Sequence, residues 1–344
     1  MVTSPYDAVL VLSFGGPEGP GDVMPFLENV TRGRGVPRER LEQVAQQYQR
    51  FGGRSPINEQ NRALVEALRA ELDGAGIDLP LYLGNRNWRP FLADTVQQMA
   101  DDGVRHAAAF ATSAWSSYSS CRQYLEDIAG ARAAVGDAAP AIDKLRPFYN
   151  HPGFVEAQAD RLRSTLAGLD EPARLDEPAR RRVHLVFVAH SIPLDMAEGC
   201  DYQAQLLEAS RLVAERAGGG RPWDVAYQSR SGPPHVPWLE PDISAHLAAL
   251  AAKGARHVVI VPIGFVSDHM EVRYDLDVLA AATAQELGIA AWRAPTVGVH
   301  PRFVAMVREL VEEGAGSGPA LAVGRCGPRH QPCAEGCCPP PARH

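Results

Sequence analysis

The chain has 344 residues, 45% hydrophobic and 22% charged, with a formal net charge of −7 at pH 7. That length predicts two domains or one large α/β unit, and the composition is that of an ordinary soluble globular protein. The negative balance argues against nucleic acid or an anionic membrane surface as a general partner, and no apolar run approaches the ~18 residues of a membrane span.

The first apolar segment, residues 8–14, has Asp7 beside it and no basic residue before it. It reads as a strand rather than a secretion signal. With nothing marking export, a cytoplasmic setting is expected, with the six cysteines reduced or metal-bound. Strands are predicted at 8–12, 81–83, 107–112, 183–189, 225–228, 257–263 and 290–292. Helices are predicted at 38–48, 59–73, 92–102, 118–134, 153–166, 202–217, 243–252, 276–287 and 301–313. Such alternation implies parallel sheets built from βαβ units. No strand is expected within 135–182, which hold a Pro/Ala-rich connection, one helix and a charged spacer with LDEPAR twice over. A domain boundary is placed in this zone, giving units 1–150, 151–313 and a cysteine-rich tail, 314–344.

Chemistry-bearing residues cluster where strands end. The first strand runs into Leu12-Ser13-Phe14-Gly15-Gly16-Pro17, a glycine turn that lets backbone approach a flat or anionic ligand. TRGRGVPRER (31–40) carries Arg32, Arg34, Arg38 and Arg40, suited to clamp carboxylates bidentately. The strand at 183–189 ends in His190 and is stopped by Pro193. Past the strand beginning at 257, Asp268, Glu271 and Asp275 recur at i, i+3 and i+7, one face of an α-helix. Imidazole and carboxylate together suit Fe(II), Zn(II) or Co(II). Two such groups are too few for a tightly held resident metal and fit a metal in transit.

VAHSIP (188–193) with PIGFVSDHMEVRYDLD (262–277) resembles ferrochelatase, which inserts ferrous iron into a porphyrin. LSFGGPEGP (12–20), FGGRSPIN (51–58), GNRNWRPF (84–91) and QSRSGPPHVPWLEPD (228–242) resemble the same family, in the same order, so the likeness spans roughly 6–312. It implies an α/β fold of two Rossmann-like lobes, each with a parallel four-stranded sheet, and a cleft between them. It implies His190 and Glu271 as the pair that handles Fe²⁺ (a substrate) and protons, with Asp268 and Asp275 carrying charge away. Phe14 would stack on the porphyrin where some relatives carry an iron-ligating tyrosine. Tyr48, Ser55 and Tyr124 match positions used around the ring and its propionates. Guanidinium groups at 32–40, Arg32 first, replace an apolar lip. They favour coproporphyrin III, with four propionates, over protoporphyrin IX, and remove the argument for membrane insertion. A monomer is expected. A non-catalytic haem or iron–sulphur sensor and a cobalt chelatase are the alternatives from other classes.

After Glu313 the chain turns Gly/Pro-rich and holds Cys326, Cys333, Cys337 and Cys338. A segment this poor in apolar residues cannot order itself. A four-thiolate zinc or [2Fe–2S] site would order it. The resemblance implies the [2Fe–2S] cluster, with three ligands from the tail and one from the body. The tail set is Cys326, Cys333 and Cys338, with Cys337 the alternative to Cys338. Cys121 is preferred for the body ligand and Cys200 is the runner-up.

Overall fold

In a computed structural model of the protein, residues 5–169, 179, 181–329, 333–334 and 336–341 are described. Two four-stranded parallel sheets carry the fold. The first contains β1 (Ala8–Ser13), β2 (Leu81–Asn85), β3 (His106–Ala111) and β4 (Ala141–Lys144) in the order β2-β1-β3-β4. The second contains β5 (His184–His190), β6 (Trp223–Gln228), β7 (His257–Val261) and β8 (Ala290–Arg293) in the order β6-β5-β7-β8. The two lobes therefore share one topology. The central strands β1, β3, β5 and β7 are almost wholly buried. Helices cover both faces of each sheet, which is why these strands are near-continuous apolar runs.

The first lobe's helices are α1 (Val23–Val30), α2 (Arg38–Gln49), α3 (Ile57–Gly74), α4 (Leu92–Asp101) and α5 (Gln123–Val135). α6 (Pro152–Leu169) leads into the second lobe, which holds α7 (Leu194–Glu198), α8 (Tyr202–Ala217), α9 (Ile243–Ala252) and α10 (Ala281–Glu286). α11 (Pro301–Gly314) follows β8. α5 and α10 are each entered through a π-helical stretch, Tyr118–Arg122 and Val272–Ala280. Among the described residues no helix is long and apolar enough to cross a membrane.

Strand β4 corrects the expectation that 135–182 holds none. It is an edge strand with its first three residues exposed or half-buried, so no apolar run announces it. α1 was also not expected, because Pro25 interrupts its pattern; Pro is tolerated in a first turn, where its missing N–H would be unpaired. The doubled LDEPAR lies almost wholly outside the described residues.

One core joins the lobes. Val9, Phe110, Phe148 and Phe154 belong to it together with Leu185, Phe187, Val259 and Phe303. Phe110 and Phe148 stack at 5.2 Å between centroids. α11 packs on α6, α3 and β3, so the last helix reaches back to the first lobe. Polar bonds add direction to this contact. Trp115 Nε1 donates to the Gly264 carbonyl at 3.0 Å, and Gln205 Nε2 donates to Ser116 Oγ at 2.8 Å. These bonds hold the strand ends of the two lobes in a fixed relation.

Candidate active site

Open α/β sheets bind ligands past the carboxyl ends of their strands, where the strand order reverses. Those points lie between β1 and β3 and between β5 and β7. His190 is the last residue of β5. The chain leaving β7 crosses that strand end closely: a Cβ on Gly264 would lie 2.6 Å from Ala189 Cα, so only glycine fits. The crossing delivers Glu271 to His190.

His190 Nδ1 is hydrogen-bonded to the Ser191 carbonyl oxygen. A carbonyl only accepts, so Nδ1 carries the proton and Nε2 presents a lone pair. Nε2 lies 3.5 Å from Glu271 Oε2. The two side chains are 32% and 51% exposed, so both can be reached from the cleft. Tyr202 donates its hydroxyl to the His190 carbonyl at 2.9 Å and holds the backbone there. His269, which the sequence reading gave no role, brings Nδ1 to 3.9 Å from the same Glu271 oxygen. Burial pushes its pKa down, against the pull of the Glu271 charge, and the neighbouring His190 lowers it further.

Glu271 immediately precedes the π-helical stretch, and Asp275 lies within it. In this wider helix, residues four or five apart stack on one face, so Glu271 and Asp275 align. Burial, reinforced by Glu271, pushes the Asp275 carboxyl up to about 6 despite a hydrogen bond from Ser229 Oγ. Ser229 has φ 60°, a left-handed conformation costly for a residue with a side chain. That conformation places its hydroxyl on Asp275, and the hydrogen bond offsets part of the strain. Asp268 does not join this face. It precedes the helix, and Arg293 Nη1 and Nη2 each donate to it at 3.2 Å, so its charge is neutralised away from His190. The expected trail of three carboxylates is a pair.

The opposite wall belongs to the first lobe. Phe14, just past β1, is 38% exposed and packs edge-on to Phe26 at 6.3 Å. Phe26 in turn meets Tyr48 at 6.1 Å and Trp88 at 6.0 Å. Burial raises the Tyr48 phenol pKa, and the Glu271 charge raises it further, which puts this wall within electrostatic range of the His190–Glu271 pair. Arg50 over the Tyr274 ring and Arg273 over the Phe51 ring link the two lobes beside this wall. Ser55 is buried beneath the glycine turn, where a Cβ on Gly16 would come 2.7 Å from Ser55 Cβ. Tyr124 is buried in the core behind the first sheet with the Arg86 guanidinium 4.0 Å over its ring. Arg32 and Arg34 are exposed on the turn after α1, whereas Arg38 is paired with Glu42 and Glu28.

A second constellation lies at the π turn before α5. Cys121, Cys333, Cys337 and Cys338 line one small hollow with Arg122 and Leu125. Cys337 Sγ and Cys338 Sγ are 3.6 Å apart. A hydrogen bond from Cys333 lowers the Cys121 pKa, and Lys144 and Arg329 lower it further. The same contact, with burial, raises Cys333. Cys326 is not in this group; it is exposed, and Asn150 Nδ2 binds its carbonyl at 2.8 Å. The Cys200 thiol donates to the Met196 carbonyl at 3.1 Å.

A two-lobed α/β fold with an imidazole–carboxylate pair at one strand end and an aromatic wall facing it defines a chelatase, a protein that places a metal ion in a flat macrocycle. Solved structures agree on the fold: the sirohydrochlorin chelatase SirB from Bacillus subtilis subspecies spizizenii in complex with cobalt has a TM-score of 0.52 at 13% identity, covering 90% of this chain and 97% of that one. The ferrochelatase family profile matches residues 6–315, and the chain belongs to that family of metal chelatases, which act in haem biosynthesis. It is 57% identical to the coproporphyrin III ferrochelatase of Frankia alni, covering 97% of this chain and 87% of that protein. It is 53% identical to the coproporphyrin III ferrochelatase of Streptomyces coelicolor (98% and 94%) and to a ferrochelatase of Rhodopirellula baltica (97% and 93%).

Proposed function

We propose that the cleft inserts Fe²⁺ into coproporphyrin III, with His190 and Glu271 bringing iron in and taking protons out. The observation that carries this reading is the His190 Nε2 lone pair held 3.5 Å from Glu271 at the cleft. Porphyrin and Fe²⁺ give the iron porphyrin and two protons, so four Fe–N bonds form while two pyrrole N–H bonds break. Neutral Nε2 can accept one proton. Glu271 can accept the other and pass it to Asp275, whose raised pKa suits a relay near neutral pH. Phe14 stacks on the macrocycle, and Tyr48 packs behind it through Phe26. Binding that holds the ring bent exposes its nitrogen lone pairs and is offset by contacts at the propionates.

The exposed guanidinium groups of Arg32 and Arg34 support a substrate with four propionates, as do the names of the relatives from Frankia and Streptomyces. Ser55 supports the glycine turn from beneath, and Tyr124 backs the first sheet through Arg86. Each shielded charge-assisted hydrogen bond contributes roughly 1.5–3 kcal/mol, and less at an exposed rim. Anaerobic turnover of Fe²⁺ with coproporphyrin III and protoporphyrin IX, read by absorbance, should give the higher kcat/KM for coproporphyrin III. Arg32→Ala should raise KM for coproporphyrin III more than for protoporphyrin IX. Equal kcat/KM for the two porphyrins refutes the substrate assignment.

The thiol group fits a [2Fe–2S] cluster, since four sulphurs converge beside the cations Lys144 and Arg329. Cys121, Cys333 and Cys338 are common to the sequence reading and the geometry. The fourth ligand is Cys326 in the former and Cys337 in the latter. Such a cluster supplies one-electron redox chemistry and ties the tail to the body. Thiolates kept for a metal accord with a cytoplasmic setting.

A further inference from the structure

His184, Asp224 and His246 stand together at the end of the second sheet remote from the cleft. His184 opens β5, Asp224 is the second residue of β6, and His246 lies in the first turn of α9. Asp224 pairs in register with Val186, whose side chain shares a sheet face with that of His184. His184 Nε2 is 2.8 Å and His246 Nε2 is 3.2 Å from the same oxygen, Asp224 Oδ2. One donor atom from each residue falls within 4.8 Å of the other two.

Hydrogen bonding accounts for only part of this arrangement. His184 and Asp224 form a good bond. His246 Nε2 is buried, and its 3.2 Å contact with the same carboxylate oxygen is longer and poorly aligned for a hydrogen bond. Its lone pair or proton is aimed past the oxygen. A cation among the three groups would satisfy all of them. Four-coordinate zinc, with bonds of about 2.0–2.2 Å, sets neighbouring ligand atoms about 3.3 Å apart, which matches the 3.2 Å spacing of His246 and is wider than the hydrogen-bonded 2.8 Å of His184. The imidazole side chains are only 15% and 13% exposed, whereas Asp224 is 46% exposed and gives the ion a way in.

We propose that His184, Asp224 and His246 form a binding site for a divalent transition-metal ion of the Zn²⁺ or Fe²⁺ class, with water completing its coordination. Two imidazoles and one carboxylate suit such borderline cations better than Mg²⁺ or Ca²⁺. The site lies apart from the chemistry: His184 and His190 are the two ends of β5, about 20 Å apart at ~3.3 Å per residue. An ion there would tie β5, β6 and α9 together.

The test compares Glu271→Gln, which removes the cleft pair, with Glu271→Gln/Asp224→Asn and Glu271→Gln/His246→Gln. All three keep every cysteine. Equilibrium dialysis of the full chain against Zn²⁺ should give one ion fewer per chain in both double variants, or binding at least tenfold weaker. Zn²⁺ should raise the melting temperature of Glu271→Gln more than that of either double variant. Co²⁺ as a probe should lose weak d–d bands of the nitrogen/oxygen type while sulphur-to-metal bands stay. Far-UV circular dichroism checks that each variant is folded. Equal stoichiometry, affinity and thermal shift in the three proteins overturn the site.

Discussion

Replacing Asp275 with Asn should stabilise the protein while slowing it. The folded-state pKa of Asp275 is about 6, against 3.8 for a free aspartate, with burial the leading cause. A carboxyl whose pKa is raised on folding contributes its stability below the unfolded value, and that contribution is lost as pH rises through the folded value. Above both values the ionised group costs about 3 kcal/mol, at about 1.36 kcal/mol per pH unit. Linkage gives a penalty of about 3 kcal/mol at pH 7.5 that shrinks to about 0.5 kcal/mol at pH 4. Asn keeps the shape and can still accept from Ser229, but carries no charge. Denaturant unfolding of both proteins should show Asp275→Asn more stable by up to about 3 kcal/mol at pH 7.5, with the gap closing toward pH 4. Iron insertion should fall in the variant, and the wild-type rise in kcat/KM through pH 6 should flatten. A variant no more stable than wild type at pH 7.5, or a gap independent of pH, refutes the reasoning.

His190→Ala and Glu271→Gln should each lower kcat by about 10²–10⁴, typical of a proton-transfer group, with porphyrin binding retained in a fluorescence titration; a few-fold loss removes that residue from the mechanism. Gly264→Ala should cost about 1–3 kcal/mol of overpacking, because its Cβ meets Ala189 backbone at 2.6 Å, and should lower kcat by shifting His190. An unchanged melting temperature would contradict that contact. Purified protein should be reddish-brown with about two iron and two sulphide per chain, the content of a [2Fe–2S] cluster. Cys121→Ser, Cys333→Ser and Cys338→Ser should each bleach it, and Cys200→Ser should not. Cys326→Ser against Cys337→Ser identifies the fourth ligand; one zinc in place of iron rules the cluster out.

The buried strands and the long amphipathic helices were legible because burial on both faces writes an unbroken apolar run and burial on one face writes a period. Strand β4 was not, since an edge strand has little to bury. Reading Asp268, Glu271 and Asp275 as one face assumed an α-helix running through all three. The helix starts after Asp268, and a π stretch begins beyond Glu271. Asp268 is instead claimed by Arg293, 25 residues on. No local pattern encodes that partner. The burial of Tyr124 beneath Arg86 likewise depends on how β3 and α5 pack, which no local pattern encodes. Ser229 carried a signal only in retrospect, as a polar residue just past β6 beside a proline-rich loop.

The two lobes repeat one topology but divide the work. β1 leads into Phe14, which packs on Phe26 in an apolar wall with Tyr48 and Trp88. β5 ends at His190, facing a carboxylate. The π stretches entered after β3 and β7 diverge in the same way: the first carries Cys121, and the second carries Asp275 next to Glu271. A symmetric site would set polar groups against both faces of a planar ring and leave neither face to hold it by apolar contact. In the proposed arrangement one face is held by aromatic contact, so the lone pair on His190 and the Glu271–Asp275 pair address the other. Metal then enters where the protons leave, and each Fe–N bond formed helps to expel the proton that blocks the next.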